Sequence, residues 1–422
     1  MGDAIVPARG FRDVLPAEKA KREAVLASIR SSYSRFGFTE IETPAVEPIE
    51  RLSSNQGGEN EKLVFRIMKR GIDPNEMVRV GDAADLGLRY DLTVPLVRYY
   101  ASHRHELPAV FRSLQIGPVW RAERPQKGRY RQFLQCDIDT LGDASTLVEI
   151  ELITATLYAL AELGITDATV RLNDRRVLDS LLGSFGFAPE SRGKALIIID
   201  KLDKVGVSGV CDQLTAAEFG TESVEKVRGL LEAFATIEDG HVGKVAAVLP
   251  ADIDEAGLAA VREIASAVTS AREGVRVVFD PTLVRGMGYY TGPIFEVAHP
   301  SSSSSIAGGG RYDAMGEQLF GIKVPACGFS IGFERIMGLV DDARFSHGEP
   351  VLAIVYKDTP PVTLARLQCG YVAEGRRVVL AKRAKNLAKQ LTDLGNQGAT
   401  HFCLLEGDVA SAEEIEERAL ER

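Results

Sequence analysis

Two strand-like runs, Ser113 to Arg121 and Gln132 to Gly142, stand on either side of the short charged segment Ala122 to Arg131. Parallel strands need a crossover of a dozen or more residues, so these two form an antiparallel hairpin with an arginine-rich tip. The expected fold class is α+β, built on a mixed, mostly antiparallel sheet. No dinucleotide-binding fingerprint occurs. The run Gly308-Gly309-Gly310-Arg311-Tyr312-Asp313 is glycine-rich, yet it lacks the spacing of a Walker-type phosphate cradle. A phosphate must then be held by side chains.

The chain has 422 residues, more than one hydrophobic core fills, so two or three domains are expected. No run approaches the roughly 18 apolar residues of a membrane span, and the N-terminal MGDAIVPARGFRDVLP lacks the apolar centre of a signal peptide. The expectation is a cytoplasmic protein with no membrane partner. The five cysteines, Cys136, Cys211, Cys327, Cys369 and Cys403, are scattered without a CxxC pair and read as reduced, mostly buried residues. The histidines show no ligand spacing, and His103 and His105 read as a solvated loop. No metal site is expected on the protein itself; a metal should arrive with phosphate, as Mg²⁺ does. A net charge of −9 argues against nucleic acid only on average, because binding depends on local patches. Arg376, Arg377, Lys382, Arg383, Lys385 and Lys389 form one candidate patch, with a solvated helix face as the plainer reading.

Apolar spacing predicts a helix from Pro16 to Phe36, followed by a strand ending at Pro44. Leu88 to Asp91 reads as a short strand feeding a helix from Leu92 to Ser102. A helix from Leu147 to Leu163 has Ser145 as its N-cap. The catalytic core is assigned to residues 1–173 and 272–340, and the Ala-, Leu- and Glu-rich stretch 174–271 to a helical insertion domain. Within the core, strands are expected at Val275 to Phe279, Phe295 to Ala298 and Cys327 to Ser330, then a helix from Ile331 to Val340. Asp341 to Pro350 reads as a linker, and 351–422 as a small C-terminal α/β domain whose last strand is missing.

Arginine stands out in three distant segments: WRAERPQKGRYRQF, LVRGMGYYTGPIFEV and GFSIGFERIMGLV. Guanidinium is planar, permanently charged and able to grip phosphate or carboxylate through two parallel hydrogen bonds. Their convergence would make a site for a polyphosphate and a carboxylate. Together with GFRDVLP, LRYDLTVPLVRYYA, RSLQIGPVWRAERPQKGRYRQFLQCDIDTLG and AGGGRYDAMGEQL, these segments resemble the class II aminoacyl-tRNA synthetases, in their histidyl-tRNA synthetase branch. The resemblance spans residues 10 to 340 in order, with a weaker echo beyond.

The resemblance implies a class II antiparallel catalytic sheet, a homodimer formed through the first motif, and a two-step reaction. L-Histidine attacks the α-phosphate of ATP, releasing pyrophosphate, and the adenylate then esterifies the terminal ribose of tRNA(His). It further implies that Arg121 contacts the α-phosphate and the histidine carboxylate. Glu123 would orient adenine, Arg129 would reach the outer phosphates and Arg335 would hold the γ-phosphate. Arg285 would stabilise the pentavalent phosphorus opposite Arg121. Asp91, Thr93 and Gln135 would receive the ammonium, for which acceptor oxygens are the requirement. Asp139, Tyr290 and Tyr312 would bind the imidazole, with Tyr289 lining the same wall. Taken singly, Asp139 is a strand-end turn residue, Tyr289-Tyr290 core packing and Arg335 a charge near a helix start; their occurrence together and in order favours the site.

Two features depart from the family pattern. Gly288 stands where many members have Asp, which puts the setting of Arg285 or of histidine in question, and the short C-terminal domain puts anticodon contact in question. One rival is a paralogue without aminoacylation that senses histidine as the regulatory subunit of the first enzyme of histidine biosynthesis. Another is an enzyme that activates histidine for an acceptor other than tRNA. Retention of Arg121, Glu123, Arg285 and Arg335 disfavours the sensor.

Overall fold

The computed structural model describes residues 5–53, 63–71, 83–125, 129–237, 240–284, 289–345, 350–408 and 415–420. The chain divides into two compact bodies, residues 1–13 with 28–340, and residues 14–27 with 341–422. Arg285, Gly288 and most of the Ser53 to Glu61 segment, singled out in the sequence, lie outside the described residues.

The strands of the first body are, in chain order, β1 (Thr39–Glu40), β2 (Val46–Pro48), β3 (Phe65–Met68), β4 (Ala84–Leu88), β5 (Phe111–Trp120), β6 (Gln132–Leu141), β7 (Thr169–Asp174), β8 (Arg276–Phe279), β9 (Pro293–Ala298), β10 (Ala307–Arg311) and β11 (Ala326–Gly332). Eight of them form one sheet in the order β1-β5-β6-β11-β10-β9-β7-β8. Its central pairings, from β5 to β7, are antiparallel, and only the outer pairs β1 with β5 and β7 with β8 are parallel. The expected α+β class and mostly antiparallel sheet are what the structure has. A separate three-stranded antiparallel sheet runs β2-β4-β3.

Alternation divides β6 between two faces. Cys136, Ile138 and Thr140 are fully buried on one, where Tyr33 of helix Pro16–Arg35 reaches Thr156 of helix Leu147–Glu162 with a 3.3 Å hydroxyl contact. Gln135, Asp137 and Asp139 share the other. Burial of the first face supplies the packing energy; the second carries polar groups that packing alone would not select.

Several boundaries differ from the sequence reading. Only Thr39–Glu40 of the stretch before Pro44 pairs as a strand, alongside Ser113 and Leu114. β4 ends at Leu88, leaving Arg89 to Asp91 as an irregular linker, with a bend at Tyr90, to helix Thr93–His103. Ser145 is not the N-cap of the next helix: Thr146 is, without a side-chain cap, while the Ser145 N–H is bonded by Asp143 Oδ1 at 2.8 Å. The last helix of the body is only Phe333–Ile336, because β11 continues through Gly332. Helices from Arg175 to Ala271 fill the interval between β7 and β8, and their apolar residues, Leu178, Leu182, Leu196, Val227 and Leu231 among them, form one cluster with Leu283, Val284 and Ile294. His103 closes its helix and pairs with Glu106 rather than lying in a loop. Four of the cysteines are buried and Cys369 is exposed.

In the second body, β12 (Val351–Lys357), β13 (Arg377–Lys382) and β14 (His401–Glu406) are parallel, with helices Pro361–Ala373 and Leu387–Asn396 between them. A fourth strand, β15 (Glu417–Ala419), pairs antiparallel with β14, so the edge strand expected to be missing is present. Arg376 holds it through two bonds to Glu417, at 2.6 and 2.5 Å, and lies over the Tyr371 ring. The cationic stretch is not one helix face. Arg377 and Lys382 lie on β13, Arg383 and Lys385 in the following turn, and Lys389 on the next helix, which Asn386 caps. Asp341 to Pro350, read as linker, includes the short helix Asp342–Phe345.

Candidate active site

The polar face of β6 is the centre of the site. Cross-strand register sets Gln135 opposite Gly117 and Gly332, Asp137 opposite Gln115 and Ser330, and Asp139 opposite Ser113 and Gly328. Apart from Gln115, the opposing residues on both neighbours are Gly or Ser, which leaves room above the three polar side chains. A Cβ on Gly328 would sit 1.9 Å from Asp139 Oδ1, so only glycine lets that carboxylate lie across the strand. Gly310 plays a similar part beside Tyr290, whose Cδ1 would be 2.9 Å from a Cβ there.

Asp91 enters from the side. Arg121, just beyond β5, donates from Nε to the Tyr90 carbonyl at 3.0 Å and stacks its guanidinium on the Phe133 ring. Arg89 is buried and donates to the carbonyls of Thr43 and Pro118, at 2.6 and 3.0 Å, while Gln115 holds the Leu92 carbonyl at 3.1 Å. The Arg89 to Leu92 backbone is thus fastened at several points. Asp91 Oδ1 accepts the Val94 N–H at 3.2 Å, at the start of the helix on which Thr93 is the first residue. Asp91 Oδ2 is buried without a partner.

Tyr312, one residue beyond β10, donates its phenol to Asp139 Oδ1 at 2.6 Å. Tyr289 packs edge-on against both Tyr290 and Tyr312, at centroid separations of 4.7 and 6.0 Å. Burial pushes the phenols of Tyr289 and Tyr312 well above their ordinary range, so Tyr312 remains the donor in its bond to Asp139. Burial also raises the carboxyls: Asp91 to about 6, Asp139 to about 7, and Asp137 well above the usual range. Asp139 adds to the shift of Asp137, and Asp91 to that of Asp139. A cation placed among them would relieve this repulsion and favour the ionised forms.

Six buried side-chain polar atoms lack hydrogen-bond partners among the described residues, and four lie here: Asp91 Oδ2, Ser113 Oγ, Gln135 Oε1 and Asp139 Oδ2. Three of the four are pure acceptors. Buried polar groups are otherwise nearly always satisfied, so this concentration marks a pocket built for a ligand rich in N–H donors.

Of the arginines of the sequence reading, Arg121, Arg129 and Arg335 lie at one end of the sheet, where β5 and β11 finish and β6 begins. Arg12 joins two of the segments: it donates to Glu334 Oε2 at 3.1 Å and lies 4.9 Å over the Tyr130 ring, so the hairpin tip and helix Phe333–Ile336 meet at one side chain. Arg335 is exposed and donates to the Ser305 carbonyl. Glu123 and Arg129 form an ion pair with each other at 2.9 Å. The structure therefore brings together Asp91, Thr93, Arg121, Gln135, Asp139, Tyr289, Tyr290 and Tyr312, with Glu123, Arg129 and Arg335 on the same rim.

Sequence reasoning passed over Asp137, Ser330 and Arg12. Asp137 had a usable signal, since Gln135, Asp137 and Asp139 alternate at the spacing that puts strand residues on one face. Arg311 had none: it belongs to the architecture, bonding Glu149 through Nε at 2.6 Å and Nη2 at 2.8 Å inside the body.

Known proteins resemble this chain in sequence and fold. The family model described as histidyl-tRNA synthetase covers residues 10–336. A histidine–tRNA ligase of Leifsonia xyli is 50% identical over 420 residues, covering 97% of each chain, and a probable histidine–tRNA ligase of Tropheryma whipplei is 42% identical over 407. Among solved structures, histidyl-tRNA synthetase from Nostoc sp. PCC 7120 superposes with a TM-score of 0.77 at 26% identity, over 99% of this chain and 95% of its own. A Bacillus halodurans protein described as an ATP phosphoribosyltransferase regulatory subunit/histidyl-tRNA synthetase shares the fold, with a TM-score of 0.76 at 18% identity. With an acceptor-lined pocket beneath an arginine rim, and a relative half identical along nearly the whole length, the chain belongs to the histidyl-tRNA synthetase family.

Proposed function

We propose that this chain is a histidine–tRNA ligase that activates L-histidine with ATP and transfers it to tRNA(His), using the site just described. The observation that carries the reading is the set of unpartnered acceptors on Asp91, Gln135 and Asp139 beside Tyr312. Histidine supplies what they lack: an ammonium with three N–H groups at one end and an imidazole N–H at the other. Asp91, Thr93 and Gln135 receive the ammonium; Asp139, Tyr290 and Tyr312 hold the ring, with Tyr289 behind it. A site that satisfies both ring nitrogens rejects side chains without them by large factors.

The chemistry joins two anions, so positioning and charge neutralisation are what the protein must provide. Arg121 grips the histidine carboxylate and the α-phosphate together. Arg285 takes the opposite side of the phosphorus as charge builds, while Arg129 and Arg335 draw off the pyrophosphate charge and Glu123 orients adenine. The carboxylate oxygen bonds to phosphorus as the bond to pyrophosphate breaks. In the second step the ribose hydroxyl of the tRNA attacks the activated carbonyl and AMP leaves. Neither step requires a covalent link to the protein.

Among the described residues, no three His, Cys, Asp or Glu side chains gather as a metal site. Mg²⁺ enters as part of the substrate, on the phosphate oxygens of ATP. We assign residues 1–173 and 272–340 to catalysis, 174–271 to a helical insertion and 351–422 to anticodon-arm binding, in a cytoplasmic homodimer. No described helix is long and apolar enough to cross a membrane. The regulatory-subunit reading is less supported than the ligase reading, given a ligase relative at 50% identity.

The test is histidine-dependent ATP–pyrophosphate exchange followed by charging of tRNA(His). Both should occur, and Arg285→Ala should lower the activation rate about 100-fold or more, with ATP binding little changed. Exchange without charging would move the reading to a different acceptor, and neither activity would overturn it.

A further inference from the structure

Asp137 takes no part in the reaction as proposed, yet it lies among the residues that receive histidine. It is 3% exposed, between Gln135 and Asp139 on the same face of β6, and directly opposite Ser330 on β11. Gln135 Nε2 is 2.9 Å from Ser330 Oγ and 3.4 Å from each Asp137 carboxyl oxygen. The Ser330 hydroxyl in turn bonds Asp137. Gln135 Oε1 faces away from this group and is buried without a partner.

A glutamine amide has two orientations of nearly equal shape that exchange donor for acceptor. Here the choice decides whether the group nearest the ligand attracts or repels an ammonium. We infer that Asp137, acting with Ser330, is a positioning residue: it draws the Gln135 NH₂ inward and turns Oε1 toward the α-ammonium, setting preference for an amine-bearing substrate. This rests on the reading of Gln135 as an ammonium acceptor. At 3.4 Å the Asp137 contacts are long for hydrogen bonds, so the orienting force is mainly electrostatic, with the amide's positive end toward the carboxyl oxygens. Whether ionised or neutral, the carboxyl keeps at least one acceptor oxygen. In the reversed orientation Oε1 would face those oxygens and the NH₂ would confront a cation.

The experiment uses the full-length protein and four forms: wild type, Gln135→Ala, Asp137→Asn and Ser330→Ala. Each is assayed by ATP–pyrophosphate exchange, with competitive inhibition by histidinol and by the same alcohol lacking its amine. The ratio of the two inhibition constants isolates the ammonium contact. Asn at 137 has the same shape but can donate to a reversed Gln135. Asp137→Asn should therefore raise the histidine KM and shrink the ratio about tenfold, leaving the KM for ATP and the saturated kcat in place. Ser330→Ala should move the same quantities in the same direction, and provides the readout if the Asn variant folds poorly. If Gln135→Ala shrinks the ratio but Asp137→Asn and Ser330→Ala do not, the positioning role is refuted and the site reading stands. If Gln135→Ala itself leaves the ratio unchanged, Gln135 is not the ammonium acceptor and both fall. Equal loss for both inhibitors, with kcat and ATP affinity falling too, would make Asp137 merely structural and overturn the inference.

Discussion

Replacing Asp139 by Asn should stabilise the ligand-free protein while abolishing its use of histidine. The carboxyl is 2% exposed, and burial raises its pKa from 3.8 to about 7. The folded protein therefore holds that proton more tightly than the unfolded chain does. Stability from this group is fully present at low pH and is lost as pH rises from about 4 to about 7. At 1.36 kcal/mol per pH unit, the ionised group costs the folded state at most about 4 kcal/mol above neutrality. Asn matches the volume, fits beside Gly328, and its oxygen still accepts the Tyr312 phenol, but it carries no charge. It remains a buried polar group, so roughly half the maximum, about 2 kcal/mol, is the expected gain at pH 8. Thermal unfolding of both proteins without ligand, at pH 5.5 and pH 8, reads this directly. The variant should melt a few degrees higher at pH 8, and the gap should narrow at pH 5.5. Asp91 and Asp137 are present in both, and each is repelled by an ionised Asp139, so loss of that charge adds to the gain at pH 8. Histidinol should raise the melting temperature of wild type much more than that of the variant, because its imidazole N–H supplies the donor that Asp139 Oδ2 lacks, whereas Asn places an NH₂ there. A variant that melts at or below wild type at pH 8, or a gap independent of pH, would refute the reasoning.

Two further substitutions test the supports of the site. Glu149→Gln leaves the Arg311 guanidinium buried with a neutral partner in place of a bidentate carboxylate, and should destabilise the protein by about 3 kcal/mol, measured as urea-induced unfolding of the first body; a loss under about 1 kcal/mol would show that the pair is dispensable. Gly328→Ala places a methyl 1.9 Å from Asp139 Oδ1, so the carboxylate must leave the Tyr312 phenol. The histidine KM should rise at least about tenfold with the KM for ATP little changed, at a stability cost of about 1–3 kcal/mol. An unchanged histidine KM would remove Asp139 from ring recognition.

Much of the fold was legible because its signals are local. The β5–β6 hairpin, the helix after Asp91 and the β/α alternation of the C-terminal body all announce themselves through periodicity within a dozen residues. Two strands of the large sheet, β10 and β7, did not. β10 reads Ala-Gly-Gly-Gly-Arg, which has no β-branched residue, because a Cβ at Gly309 would sit 1.9 Å from the Gly328 carbonyl of its neighbour. The close approach of another strand wrote glycine there, and glycine erased the strand signal. β7 was hidden by Arg171, which looks like a surface residue until Glu296 and Asp280, 125 and 109 residues away, are seen to hold it.

The same distinction separates the β6 residues that were found from Asp137, which was missed. Gln135 and Asp139 were assigned because a substrate atom could be named for each. Asp137 lies between them, and three carboxyls on one buried surface, Asp91 included, oppose one another, so no argument from folding asks for the third. Its reason appears only when Ser330, 195 residues from Gln135, is brought across from β11 and the pair is seen to leave one amide oxygen without a partner. That oxygen has no use in the protein alone. A buried acceptor left unsatisfied because two neighbours hold the amide by its NH₂ costs stability in the empty state, and the cost is recovered when a cation binds. Local pattern therefore reveals what the chain needs in order to fold, whereas groups that face the ligand become legible once their own unmet bonds are counted.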